Sequence, residues 1–257
     1  MLVFISRPQA ATDLQAVIAH ELGHEWFPMT VGSDEARYAW MDEGVNSFYE
    51  DRAAENFFPS TPPGGSVASY LRVAGRDNEV PLMRHTDLVT PYGARTVAAY
   101  TKPAAVLVAL RAILGEATFN RAIREYVRAW SFKHPQPWDF FNTFERVSGR
   151  DLDWFWYPWF YSRGTFDQAL GTVTPAAGSV RVTVRDLGQV PGPAFVTVTT
   201  SSGVVRQTIP VERFLNPSNT RSVTISIPVQ GTVSRVEVDP EQFFPDVNRR
   251  NNVWTGQ

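Results

Sequence analysis

Apolar residues recur at helical spacing through the first two-thirds of the chain and alternate at period two through the last third. Met1-Leu2-Val3-Phe4-Ile5 reads as a buried strand ended by Arg7-Pro8. Thr12-Asp13-Leu14-Gln15 fits a capping box with Thr12 as N-cap, so a helix is expected over about 13–27, with Pro28 blocking its continuation. Val45, Phe48, Tyr49 and Arg52 predict a second helix over about 40–56, and Pro59 to Gly65 has the composition of a loop. A third helix is expected near 66–76, then an irregular stretch through Pro81, Pro91 and Gly93. Val97, Tyr100, Ala104, Leu107 and Leu110 predict a helix within 94–114 with Gly115 as its C-cap. Further helices are expected over about 116–129, 137–147 and 151–161.

The texture changes after Gly164. Ser179-Val-Arg-Val-Thr-Val-Arg, Phe195-Val-Thr-Val-Thr-Thr, Ser222-Val-Thr-Ile-Ser-Ile and Val233-Ser-Arg-Val-Glu-Val alternate between turn-forming stretches. The expected fold class is therefore α+β and multidomain: a mainly helical portion over 1–166, then a small antiparallel β-sandwich over 167–257.

Composition narrows the function classes. The 257 residues are 43% hydrophobic and 19% charged, an ordinary globular balance with enough chain for two cores. A net charge of -2 does not advertise nucleic acid or an anionic membrane as a partner. The absence of cysteine excludes disulfides, thiolate metal ligands and cysteine nucleophiles, and leaves the compartment open. No apolar stretch is expected to reach the length of a membrane span, and residues 1–5 are too short for a signal-peptide apolar region. Four of the eight Trp lie between Trp138 and Trp159, which predicts a bulky packed core there.

The candidate chemistry lies in His20-Glu21-Leu22-Gly23-His24 and in Trp40-Met41-Asp42-Glu43-Gly44. Histidines four apart on a helix project from one face, so both imidazoles can reach a common point. A catalytic zinc takes three protein ligands, and Glu43, separated from His24 by eighteen residues and at the start of the second helix, is placed to be the third. Glu21 is then the carboxylate able to take a proton from a water. Asn46 and Ser47 are candidates to support the ligands, whereas His85 and His134 read as surface residues.

These segments resemble the M1 family of zinc metallopeptidases, the aminopeptidase N type of gluzincin. The Tyr100-Thr101-Lys102-Pro103-Ala104 stretch is similar to the family's Tyr-x-Lys-Gly/Pro-Ala, and Leu114-Gly115-Glu116 with Phe119 and the Trp138–Gly149 run also fits. The resemblance implies a thermolysin-like catalytic portion hydrolysing peptide substrates with one zinc per chain. It implies that His20, His24 and Glu43 bind the ion, that Glu21 is the general base, and that Tyr100 donates to the oxyanion. Tyr70 and Tyr92 are rivals for that last role, but neither precedes Lys in the same way. The family's Gly-x-Met-Glu-Asn segment, which recognises a free amino terminus, is not present in the nineteen residues before His20. The chain therefore resembles the C-terminal portion of a longer enzyme, with an N-terminal domain missing and a residue 1–6 strand prone to self-association. Two alternatives stay open: a related gluzincin with another peptide preference, and an inactive remnant that serves only binding.

Overall fold

The structure, a computed structural model, describes residues 10–58, 65–216 and 221–256. The expected strand at 1–6 lies outside them, as does most of the Pro59–Gly65 loop. The chain divides into two compact units, one up to Arg163 and one from Gly164.

The first unit is helical. Its helices are α1 (Ala11–Gly23), α2 (Glu43–Phe57), α3 (Gly65–Leu71), α4 (Tyr92–Thr96), α5 (Lys102–Leu114), α6 (Glu116–Trp130), α7 (Pro137–Ser148) and α8 (Asp153–Tyr161). α5 is the central rod: every residue from Lys102 to Arg111 is buried, and α2, α3 and α6 pack against it. α6 instead buries one stripe, Phe119, Ala122, Ile123 and Tyr126, at the spacing of one helical face. Trp40, Phe140, Phe141, Trp156 and Phe160 interlock in stacked and edge-on pairs, so Trp156 and Trp159 of the tryptophan-rich segment are core residues, whereas Trp138 is 50% exposed.

Three local expectations are corrected. α1 starts at Ala11 behind an extended Ala10, so Thr12 lies inside the first turn and does not cap it. The α-helix also stops at Gly23 rather than running to 27. Winding continues as wide turns in which Met29, Thr30 and Val31 donate to the carbonyls of His24, Glu25 and Trp26. Five-residue spacing lets the chain keep winding across Pro28, which has no N–H to give. Third, Tyr92–Leu114 forms a continuous helical run of 23 residues whose most apolar 18-residue window has mean hydropathy 1.5, long and apolar enough by composition to cross a membrane. Arg95, Lys102 and Arg111 interrupt it in the sequence and hide that length; 67% of its apolar window is buried inside the unit as a core helix.

The second unit contains two antiparallel sheets. β1 (Gln168–Ala176), β2 (Ser179–Asp186) and β5 (Ser222–Pro228) form one, in the order β1-β2-β5. The other has the order β4-β3-β6-β7, from β3 (Ala194–Thr200), β4 (Gly203–Ile209), β6 (Val233–Val238) and β7 (Val253–Thr255). Inward residues of both sheets, including Val182, Val184, Val196, Val198 and Val236, share one core, as in a sandwich.

Candidate metal centre

α1 and α2 lie side by side, and two glycines let them and α5 approach closely. A Cβ on Gly23 would sit 2.6 Å from Asn46 Oδ1, and one on Gly44 would collide with Pro103 Cγ and come within 3.0 Å of the Ala99 carbonyl. The glycines of His-Glu-Leu-Gly-His and of Asp-Glu-Gly are therefore packing requirements.

This approach brings together three of the sequence-predicted residues at one point. His20 Nε2 lies 3.0 Å and His24 Nε2 3.4 Å from the same atom, Glu43 Oε2. The rings meet edge-on with centroids 4.8 Å apart. Donors on a tetrahedral ion at 2.0–2.1 Å are spaced by about 3.3 Å, so the two gaps match that spacing as well as they match the hydrogen bond that His20 makes to Glu43. Two imidazoles and a carboxylate are also the donor set of catalytic divalent-ion sites, and the residues fit such an ion.

The outer ring nitrogens are held as well. His20 Nδ1 meets Glu50 Oε2 at 3.1 Å. His24 Nδ1 meets the Phe27 carbonyl at 2.9 Å, with Asp42 Oδ1 alongside at 2.8 Å. Asn46, buried, brings its Nδ2 to 2.6 Å from His24 Nδ1 and donates to the same Phe27 carbonyl at 2.7 Å, while no hydrogen bond joins Ser47 to either imidazole. Sequence reasoning did not single out Glu50 and Asp42. Glu50 stands seven residues after Glu43 on α2, two turns along the same face, and that spacing was the available signal.

Electrostatics follow from this packing. Burial pulls both imidazoles down, but neighbouring carboxylates outweigh it, raising His20 to about 9 through Glu43 and Glu50 and His24 to about 10 through Asp42 and Glu43. Burial pushes Glu43 up, yet hydrogen bonds from His20, His24 and Tyr100 bring it down to about 2. The pocket is thus rich in carboxylate around its centre, a setting that favours a cation.

Tyr100 OH donates to Glu43 Oε1 at 2.5 Å, and its ring stacks on His20 with centroids 5.9 Å apart. Burial, then Glu43, holds the phenol well above its ordinary value. Tyr100 belongs to a π-helical turn, Val97–Thr101, inserted between α4 and α5. Of its rivals, Tyr70 is buried and bonded to Glu79, while Tyr92 is exposed and shares with Tyr100 a cavity of about 500 Å³ also lined by Glu35, Asp42, Glu43 and Asp87. A larger hollow of about 760 Å³, lined by apolar groups such as Leu22, Trp26 and Ile123, holds none of the convergent donors. Glu21 is half-buried and makes no hydrogen bond or ion pair with any described residue. His85 Nδ1 accepts from Asp87 N and His134 bonds the Gly32 carbonyl, and neither histidine belongs to the His20, His24 and Glu43 group.

His20, His24 and Glu43, at the junction of two helices and beside a tyrosine, form a group whose donor atoms lie close enough together to hold one metal ion. The chain belongs to peptidase family M1, whose domain it matches over residues 4–159. It is 25% identical over 173 residues to Aminopeptidase M1-A of Oryza sativa subsp. japonica, covering 63% of this chain and 20% of that protein. It is 27% identical over 164 residues to Leucyl aminopeptidase of Saccharolobus solfataricus, covering 55% of this chain and 20% of that one. The chain therefore spans about a fifth of the length of these curated relatives. The crystal structure of Legionella pneumophila aminopeptidase A in complex with aspartic acid shares the fold, with TM-score 0.65 at 17% identity over 91% of this chain and 26% of that one.

Proposed function

We propose that this chain carries the zinc site and proton-transfer groups of a metallopeptidase, most simply an aminopeptidase that releases amino-terminal residues. The observation that carries the reading is the convergence of His20 Nε2 and His24 Nε2 on one oxygen of Glu43. The names of its relatives support the aminopeptidase class. Bound there, zinc supplies a Lewis acid that polarises a peptide carbonyl and lowers the pKa of water.

The chain's own residues do the rest. His20 and His24 offer Nε2 because Glu50 engages Nδ1 of the first, and Asp42, Asn46 and the Phe27 carbonyl surround Nδ1 of the second, which holds both rings in orientation. Glu21, adjacent to His20 and without a bonding partner among the described residues, takes the proton from the attacking water and passes it to the leaving amine. Tyr100 stays a neutral phenol at working pH, since burial and Glu43 push its pKa up, so it serves as a donor. Turning from Glu43 to the developing oxyanion, it stabilises charge formed only in the transition state.

The test pairs metal analysis with kinetics. Purified protein should hold close to one zinc per chain, and Glu21→Gln should keep it while hydrolysis of amino-acid 4-nitroanilides drops by about 10²–10⁴-fold. Protein that retains no zinc would end the reading. Peptides with free and blocked amino termini then separate an aminopeptidase from a gluzincin with another preference.

A further inference from the structure

The Lys of Tyr-x-Lys has no part in the chemistry above, yet it is the most deeply placed cation among the described residues. Lys102 is 0% exposed, and its Nζ lies 2.7 Å from Glu79 Oε1, itself fully buried. Lys102 Nζ also donates to the Ser162 carbonyl at 2.9 Å. Tyr70 OH donates to Glu79 Oε1 at 2.6 Å and Gly75 N to Glu79 Oε2 at 2.6 Å. One ammonium and one carboxylate thus tie together α3, the segment after it, the start of α5 and the end of α8.

A buried ion pair is a poor way to gain stability, because desolvating both charges offsets most of their attraction. Its retention makes sense where it sets a position, and here the position is specific. The backbone N–H of Lys102 bonds the Val97 carbonyl, five residues back, and so closes the π-helical turn that contains Tyr100. Residues two apart point to different sides of a helix, so the Lys102 side chain is anchored behind the turn while Tyr100 faces the metal centre. At the front, Pro103 rests where Gly44 lacks a Cβ. The turn is clamped from both sides.

We propose that Lys102, through its buried pair with Glu79, is a positioning residue that fixes the π turn and thereby sets where the Tyr100 hydroxyl lies. This rests on Tyr100 acting as the oxyanion donor. Displacing that hydroxyl by about 1 Å would cost on the order of 10²-fold in rate without weakening ground-state binding.

The experiment uses Lys102→Met/Glu79→Gln, which removes both charges while leaving an amide oxygen at position 79 able to accept from Tyr70 or Gly75. 3-Fluorotyrosine is placed at position 100 and read by fluorine NMR in zinc-loaded protein. The expected results are a shifted or split fluorine resonance, unchanged zinc content, kcat lower by roughly 10²-fold with KM within about twofold, and little further loss when Tyr100→Phe is added. An unchanged resonance with an unchanged kcat, or fully additive losses with Tyr100→Phe, would overturn the inference. Glu79→Gln alone is the second variant should the double one not fold, because Lys102 can then shed its proton rather than remain an unpaired cation. It should move the same resonance, and an unmoved one counts against the proposal. If the parent chain neither holds zinc nor hydrolyses peptides, the functional reading fails, while the fluorine comparison on metal-free protein still decides whether Lys102 positions Tyr100.

Discussion

Two carboxylates in the helical unit face cationic partners in opposite settings. Glu79 and Lys102 are both fully buried, and every neighbouring donor or acceptor closes on them: Tyr70, Gly75 N and the Ser162 carbonyl. Glu43 keeps 22% of its side chain exposed, His20 12% and His24 18%, and all three aim at a single point beside an open cavity. The first cluster is satisfied within the protein and can only hold segments together. The second is satisfied by protons on its imidazoles, which a divalent ion can replace. The charges are similar, and access decides what each cluster can do.

Breaking each cluster should separate the roles. Lys102→Ala leaves Glu79 a buried, unpaired carboxylate, and should lower stability by about 3–5 kcal/mol, visible as a drop in Tm of roughly 10 °C. Glu43→Gln should lower the Tm of metal-free protein far less, since its pairs are partly exposed, while abolishing stoichiometric zinc binding. Equal Tm losses in the two variants would refute the comparison.

Smaller effects sharpen it. Glu50→Gln removes the carboxylate on His20 Nδ1 and should weaken zinc affinity by about 10–100-fold in a competition titration, leaving Tm nearly unchanged. The mildest signature is a proton count. With His20 near 9 and His24 near 10, both imidazoles are protonated at pH 7 without metal, whereas Glu43, near 2, is already ionised. The sign is therefore release: zinc uptake at pH 7 should expel close to two protons per ion, falling toward zero as pH rises past about 10. Calorimetry in buffers of different ionisation enthalpy measures this, and proton uptake would contradict it.

Much of the fold is legible in the sequence where a local rule acts alone. The helical stripe of α6, the Gly115 and Gly149 terminators and the alternation in β2, β3 and β5 follow from residue spacing, whereas β6 buries Val233 and Val236 three apart across a register shift against β3. β1, β4 and β7 do not alternate cleanly. β1 carries a register shift between Leu170 and Val173, and β4 and β7 expose most of their residues, so the burial that writes the period is missing. Thr12 had a capping signature, but a cap exists only if the helix begins there, and the chain entering at Ala10 starts it earlier.

The amino-acid sequence by itself determined which donors are available and on which helices they ride, because i,i+4 spacing and a helix-starting Glu43 are local facts. Only the tertiary structure decided that Glu43 meets both imidazoles, that Asp42 and Glu50 stand behind them, and that Tyr100 arrives through a π turn anchored at Lys102. Those contacts join residues as far as 57 positions apart in the chain. Distances of that kind are set by how closely helices pack, and here two glycines without side chains allow that closeness.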